Sequence, residues 1–303
     1  MKHTLKVTAI LLAMFFVTQL IGLYVVNQYS PQIIELVDEE GNVINITTHN
    51  LPAIFEPPQD TNPQGALVSI IFAIIIAVFV MFALMKYEVE IFLRLWFFLV
   101  VALALSLTFN AIIMKIPSSF LIAIVIATPL AYFKIFQRNI IVHNLTELAI
   151  YPGIAAIFVP ILSIWTVVLL IILISLYDMY AVWHAGFMQK MAKYQIQKLK
   201  VFSGFFVPYF GKKEKEIVKN SKTKNKKVKV SVAILGGGDV VFPIILAGVV
   251  LMTLGLVQAI IISIGATLAL ALLFKFSEKG KFYPAMPFIS TGCFIALAIA
   301  YLI

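Results

Sequence analysis

Two aspartates, Asp178 and Asp239, stand in stretches that otherwise carry almost only apolar side chains. A carboxylate placed in hydrocarbon costs on the order of 2.5–3.5 kcal/mol on insertion scales, so function is its default reading. Two carboxyl groups apposed in a low-dielectric site cannot both ionise readily; they share one proton and titrate as a unit. That poise suits peptide hydrolysis. One carboxylate takes a proton from the attacking water, its protonated partner hydrogen-bonds the developing oxyanion, and the roles reverse when the leaving amine is protonated. The same pair also suits a proton or cation pathway through a transporter or channel, or a satisfied buried polar contact. Residue type alone leaves all three open.

Spacing makes the two residues a pair. Asp178 precedes Lys190 by twelve positions and Asp239 follows Lys229 by ten. At 1.5 Å per helical residue these are about 18 and 15 Å, a similar depth on consecutive antiparallel helices. Gly236, Gly237 and Gly238 lead into Asp239 and weaken helix there. Pro243 lacks the N–H that would bond the Asp239 carbonyl. Both features loosen backbone around one acid, and irregular backbone at membrane depth is tolerated where protein or a wet cavity satisfies it. A cavity at the Gly236 to Asp239 turn is expected. Glu147 is the third acid within an apolar segment; nine positions after Arg138, it is expected to reach the cytoplasmic interface.

The elements that must carry this pair are membrane spans. The chain of 303 residues is 62% hydrophobic and 12% charged, with mean hydropathy +1.02, more than a soluble domain can bury. The expected fold is all-α, a single polytopic membrane domain. Nine segments fit the 20-residue template of a crossing helix: 5–27, 65–85, 91–114, 119–135, 141–159, 161–185, 232–253, 255–274 and 284–302, with the break between the fifth and sixth near Pro160. The first follows Lys2 and Lys6 and has no small-x-small cleavage site after it, so it reads as a retained span. With nine spans, every basic residue except Lys115 falls on the side of the amino terminus, while the loop at 28–64 carries Glu35, Asp38, Glu39, Glu40, Glu56 and Asp60 and no lysine or arginine. The positive-inside rule then places the amino terminus in the cytoplasm and the carboxyl terminus outside.

The net charge of +9 is therefore orientation, and no nucleic-acid partner is expected. The lysine-rich part of the 186–231 loop reads as a cytoplasmic surface that attracts anionic lipids. Cys293, the sole cysteine, sits in an apolar run, which leaves no disulfide framework or thiolate cluster. His143 and His184 lie near span ends without metal-ligand spacing, and no HExxH motif or serine–histidine pairing occurs. No metal or cofactor is expected. Asn45-Ile46-Thr47 fits a glycosylation acceptor on the external side.

Three short motifs occur in order: Tyr177-Asp178, then Gly236-Gly237-Gly238-Asp239, then Pro284-Ala285-Met286-Pro287. With them the chain resembles the presenilin and signal peptide peptidase family and looks like a single-chain microbial member. The resemblance implies an intramembrane aspartyl protease in a microbial plasma membrane, with Asp178 and Asp239 catalytic. It implies supporting roles for Tyr177, Gly236, Gly237, Gly238, Pro284, Ala285 and Met286, and transmembrane helical proteins as substrates. Where the family has leucine in its proline-alanine-leucine motif, this chain has Met286, which keeps volume and apolarity but adds flexibility.

Overall fold

A computed structural model describes residues 5–37, 43–48, 50–55, 62–86, 90–137, 139–185, 201–209, 231–277 and 283–303. Most of the basic loop lies outside these residues, and with it the expected lipid-attracting surface. Among the described residues there are nine α-helices: α1 (Leu5–Gln28), α2 (Pro63–Lys86), α3 (Glu90–Ile113), α4 (Ser119–Phe136), α5 (Ile140–Phe158), α6 (Ile164–Tyr180), α7 (Gly237–Thr253), α8 (Leu256–Phe276) and α9 (Met286–Ala300). Seven are long and apolar enough to cross a bilayer, while α7 and α9, at 17 and 15 residues, are apolar but shorter. The protein is an integral multi-pass membrane protein.

The break near Pro160 falls where the sequence places it. Pro160 lies in a 3-10 turn, Val159–Ile161, and α6 restarts behind a capping box: the Ser163 hydroxyl accepts from the Thr166 amide, and the Thr166 hydroxyl accepts from the Ser163 amide. At the other end α6 runs into a π turn, Ala181–Ala185, that contains His184.

The fold is not wholly helical. Two antiparallel pairs of strands are present: β1 (Gln32–Val37) with β2 (Val43–Thr48), and β3 (Gly204–Tyr209) with β4 (Ser231–Gly236). The seventh span was expected from 232, but 231–236 is strand and the helix starts at Gly237. The physical reason is period. Along Val232-Ala233-Ile234-Leu235 exposure alternates, with Ala233 and Leu235 buried and Val232 and Ile234 exposed, so the run covers the core with one face only. A hydropathy window cannot separate such a run from the helix that follows.

The core is organised around α1, which packs against α5, α7 and α8. Helix α6 contacts α7 and α9, and α9 packs along α8. Helix α2 is almost entirely exposed along its apolar window, as a helix facing lipid should be.

Candidate active site

Asp178 lies two residues before the end of α6, and Asp239 is the third residue of α7. These helices touch, and the carboxyls are near enough for the charge of Asp178 to act on Asp239. The matched depth read from flanking lysines is thus a juxtaposition of two helix ends. Asp178 is buried at 7% exposure, whereas Asp239 is partly open at its surface and Gly238 beside it is exposed.

Each carboxyl is held at the start of a helix. The Met286 amide donates to Asp178 Oδ2 at 3.2 Å, with the Ala285 amide directed at the same group. Met286 is the first residue of α9, where amides have no partner within the helix, and the field of the helix favours an anion. Pro284 before it is buried and Pro287 follows in the first turn, an arrangement that starts a helix without wasting an amide. The proline-alanine-methionine segment therefore meets Asp178 through backbone, which explains how methionine can stand where leucine is usual. The Met286 side chain itself is buried at 3% exposure.

Asp239 occupies the position from which an acidic side chain reaches back to the residue capping its own helix, and the Gly236 backbone is its hydrogen-bond partner. A Cβ on Gly236 would stand 3.0 Å from Asp239 Oδ2. A Cβ on Gly237 would come within 2.6 Å of Ser203 Oγ and 2.8 Å of the Tyr151 hydroxyl, but one on Gly238 would meet only the Phe242 ring at 3.7 Å. The three glycines thus do different things: the first leaves room for the carboxyl, the second for packing, and the third faces open space. Tyr177, 42% exposed, borders Asp178 from the outer side.

Pairs that no motif announces tie these elements together. Ser290 Oγ donates to the Met286 carbonyl at 2.6 Å and accepts from Ser175 at 2.9 Å, joining α9 to α6 within one turn of Asp178. Gln19, fully buried in α1, donates to the Val240 carbonyl at 3.1 Å, one residue past Asp239. A lone serine or glutamine in a span is a weak signal; only its partner on another helix makes it meaningful.

Glu147 corrects the sequence reading. Its side chain does not lie at the protein surface: it is fully buried and paired with Lys134 at 2.5 Å. Beside it His143 contacts the Gly204 carbonyl through Nε2 at 2.8 Å and Lys134 Nζ through Nδ1 at 3.2 Å. A carbonyl can only accept and an ammonium can only donate, so His143 is the neutral tautomer with its proton on Nε2. Asn144 brackets Phe206, donating to its carbonyl at 2.7 Å and accepting from its amide at 2.9 Å. These side chains of α5 occupy one edge of β3. Since alternate residues of a strand direct their backbone groups to opposite edges, β3 bonds β4 through its odd-numbered residues, and Val232 and Ile234 of β4 point theirs away from β3. Among the described residues no strand covers that outer edge.

The family model described as signal-peptide peptidase, presenilin aspartyl protease matches residues 42–303. The chain belongs to that family. It is an aspartic endopeptidase of the intramembrane kind. Two solved structures of a presenilin family intramembrane aspartate protease have the same fold. One, from C222 crystals, superimposes with TM-score 0.64 at 14% identity over 97% of this chain and 98% of its own. The other, from P2 crystals, gives 0.60 at 14% identity over 96% of each. No curated protein sequence matches the chain. At such identity the likeness speaks for the presenilin fold, and the family model for the class of enzyme.

Proposed function

We propose that Asp178 and Asp239 are the catalytic dyad of this intramembrane aspartyl protease and that it cuts transmembrane helices of membrane proteins within or beside the bilayer. The observation that carries this reading is the meeting of the two acids at helix starts: Asp178 on the Met286 amide and Asp239 in the first turn of α7, on two helices that pack together. A fixed amide donor orients one carboxyl, and the exposed Gly238 beside Asp239 leaves a route by which water can reach the other. One acid acts as base toward that water, the other donates to the carbonyl oxygen of the scissile bond, and the proton returns to the leaving amine. Neither carboxylate needs a metal for these steps.

A peptide bond inside a helix is shielded by its own hydrogen bonds, so a substrate must unwind to reach the dyad. The outer edge of β4 leads directly into the Gly236 to Asp239 turn and offers the backbone of Val232 and Ile234, which no strand among the described residues covers. An extended substrate segment can add to it as a strand, with main-chain bonds giving affinity and alternate side chains giving selection. Tyr177, Gly238 and the segment Pro284, Ala285 and Met286 border this path in our reading.

All nine helices cross the membrane in this proposal, with the amino terminus in the cytoplasm, 28–64 external and 186–231 a cytoplasmic loop of one protease domain. Helix α7 covers about 26 Å by itself, and β4 completes its passage to the interface. The test is to purify Asp178→Ala and Asp239→Ala, each with wild-type melting, and to follow cleavage of a single-span substrate. Loss of cleavage in both is expected; wild-type cleavage in either defeats the dyad. Proton flux in proteoliposomes that both substitutions abolish, in a protein without proteolysis, would instead favour a transporter.

A further inference from the structure

Hydrolysis makes no use of the buried pair Lys134–Glu147, yet its geometry leads to the catalytic turn. Glu147 Oε1 accepts from Lys134 and also from the amide of Gly204, the first residue of β3, at 3.2 Å. The peptide group containing that amide has the Ser203 carbonyl at its other end, and this carbonyl accepts from the Gly237 amide at 3.3 Å. A peptide group is rigid and planar, with N–H and C=O pointing in opposite directions. An anion at one end therefore orients the acceptor at the other and, by polarising the group, strengthens the second bond. The line runs from Lys134 on α4 through Glu147 on α5 and the 203–204 peptide to the first amide of α7, two residues before Asp239.

The surroundings allow little slack. Gly204 has φ +146°, and a Cβ on it would stand 2.4 Å from the Leu235 carbonyl oxygen of β4. Its carbonyl is taken by His143. Tyr151, 1% exposed, is packed edge-on against Phe205, and its hydroxyl stands 3.4 Å from Ser203 Oγ. Stability is a poor reason for such an ion pair. Desolvating two charges offsets their attraction, apolar side chains of the same volume do as well, and here Glu147 Oε2 is buried without a hydrogen bond. What apolar side chains cannot do is accept from Gly204.

We propose that Glu147, paired with Lys134, is a positioning residue for Asp239: it orients the 203–204 peptide, which holds the start of α7 in register with Asp178. This rests on Asp239 being one of the catalytic pair. The test compares two neutral replacements of the ion pair, Lys134→Met/Glu147→Leu and Lys134→Met/Glu147→Gln, in purified full-length protein. Neither leaves a bare buried charge, and the glutamine keeps an oxygen for Gly204. With melting like wild type, the leucine variant is expected to lose about tenfold or more in kcat at unchanged KM, and the glutamine variant to recover to within about threefold of wild type. Faster hydrogen exchange of the 231–239 peptide in the leucine variant alone should accompany the loss.

Wild-type kcat in the leucine variant, or equal impairment of the two, overturns the proposal. Should the leucine variant not fold, Tyr151→Phe carries the test, since it keeps both members of the ion pair and removes the hydroxyl that stands between Glu147 and Ser203. A several-fold fall in kcat at constant KM sustains the proposal, and an unchanged kcat refutes it. Cleavage by Asp239→Ala would defeat the dyad itself. An inactive Asp239→Ala beside a fully active leucine variant defeats only the positioning role.

Discussion

Adding one methyl group at Gly237 separates packing from chemistry at the catalytic turn. In Gly237→Ala the new Cβ would lie 2.6, 2.8 and 2.9 Å from Ser203 Oγ, Tyr151 Oη and Tyr151 Cε1, where ordinary contact begins at 3.4 Å. Neighbours must therefore retreat by 0.5–0.8 Å. The Ser203 hydroxyl is exposed and can swing aside at little cost. Tyr151 cannot, being buried against Phe205, so the backbone of Gly237 must give way. Overpacking of this kind costs about 1–3 kcal/mol. Because Asp239 is two residues further along the same helical turn, much of the displacement reaches its carboxyl, and misplacement by about 1 Å can cost on the order of 100-fold in rate. Gly237→Ala should thus lower the melting temperature in detergent and reduce kcat on a single-span substrate by about 10- to 100-fold. Gly238→Ala is the control for fold. Its methyl meets only the Phe242 ring at 3.7 Å, and alanine restricts the unfolded chain, so stability should stay level or rise by up to about 1 kcal/mol. If Gly237→Ala melts and turns over like wild type, the turn is not set by contact with Tyr151 and the reasoning fails.

Three further outcomes follow from the contacts of the site. Met286→Leu should cost less than about 1.5 kcal/mol and leave kcat within a few-fold, because Asp178 is held by the backbone amide; inactivation would show that the thioether matters. Ser175→Ala and Ser290→Ala should each destabilise by about 1 kcal/mol, and their double-mutant cycle should give a coupling of at least 0.5 kcal/mol, as a shared bond between α6 and α9 requires; additive losses would dissolve that link. Asn144→Leu strips two backbone groups of Phe206 of their partners and should cost about 2 kcal/mol or more, while raising KM through loss of the strand edge; an unchanged KM would argue against substrate binding at β4.

The sequence by itself was enough to set the solvent and the approximate course of the long spans, and its ordered motifs narrowed the chemistry. Hydropathy is a property of consecutive residues, so the long spans could be read off within a few positions, as could the break at Pro160, where ring chemistry acts locally. Two acids in apolar surroundings stand out for the same reason: their cost does not depend on which neighbours the fold supplies. Other decisions belong to contacts between residues far apart in the chain. Whether 231–236 is strand or helix depends on β3 being available to pair with it, and Glu147 is internal because Lys134 on another helix and Gly204 on a strand satisfy it. Met286 acts through an amide that no side-chain pattern displays. Asp178 and Asp239 were legible as a pair by depth, but what holds each of them, a helix start donated by α9 and a turn braced by Tyr151 and Ser203, exists only once the helices have packed.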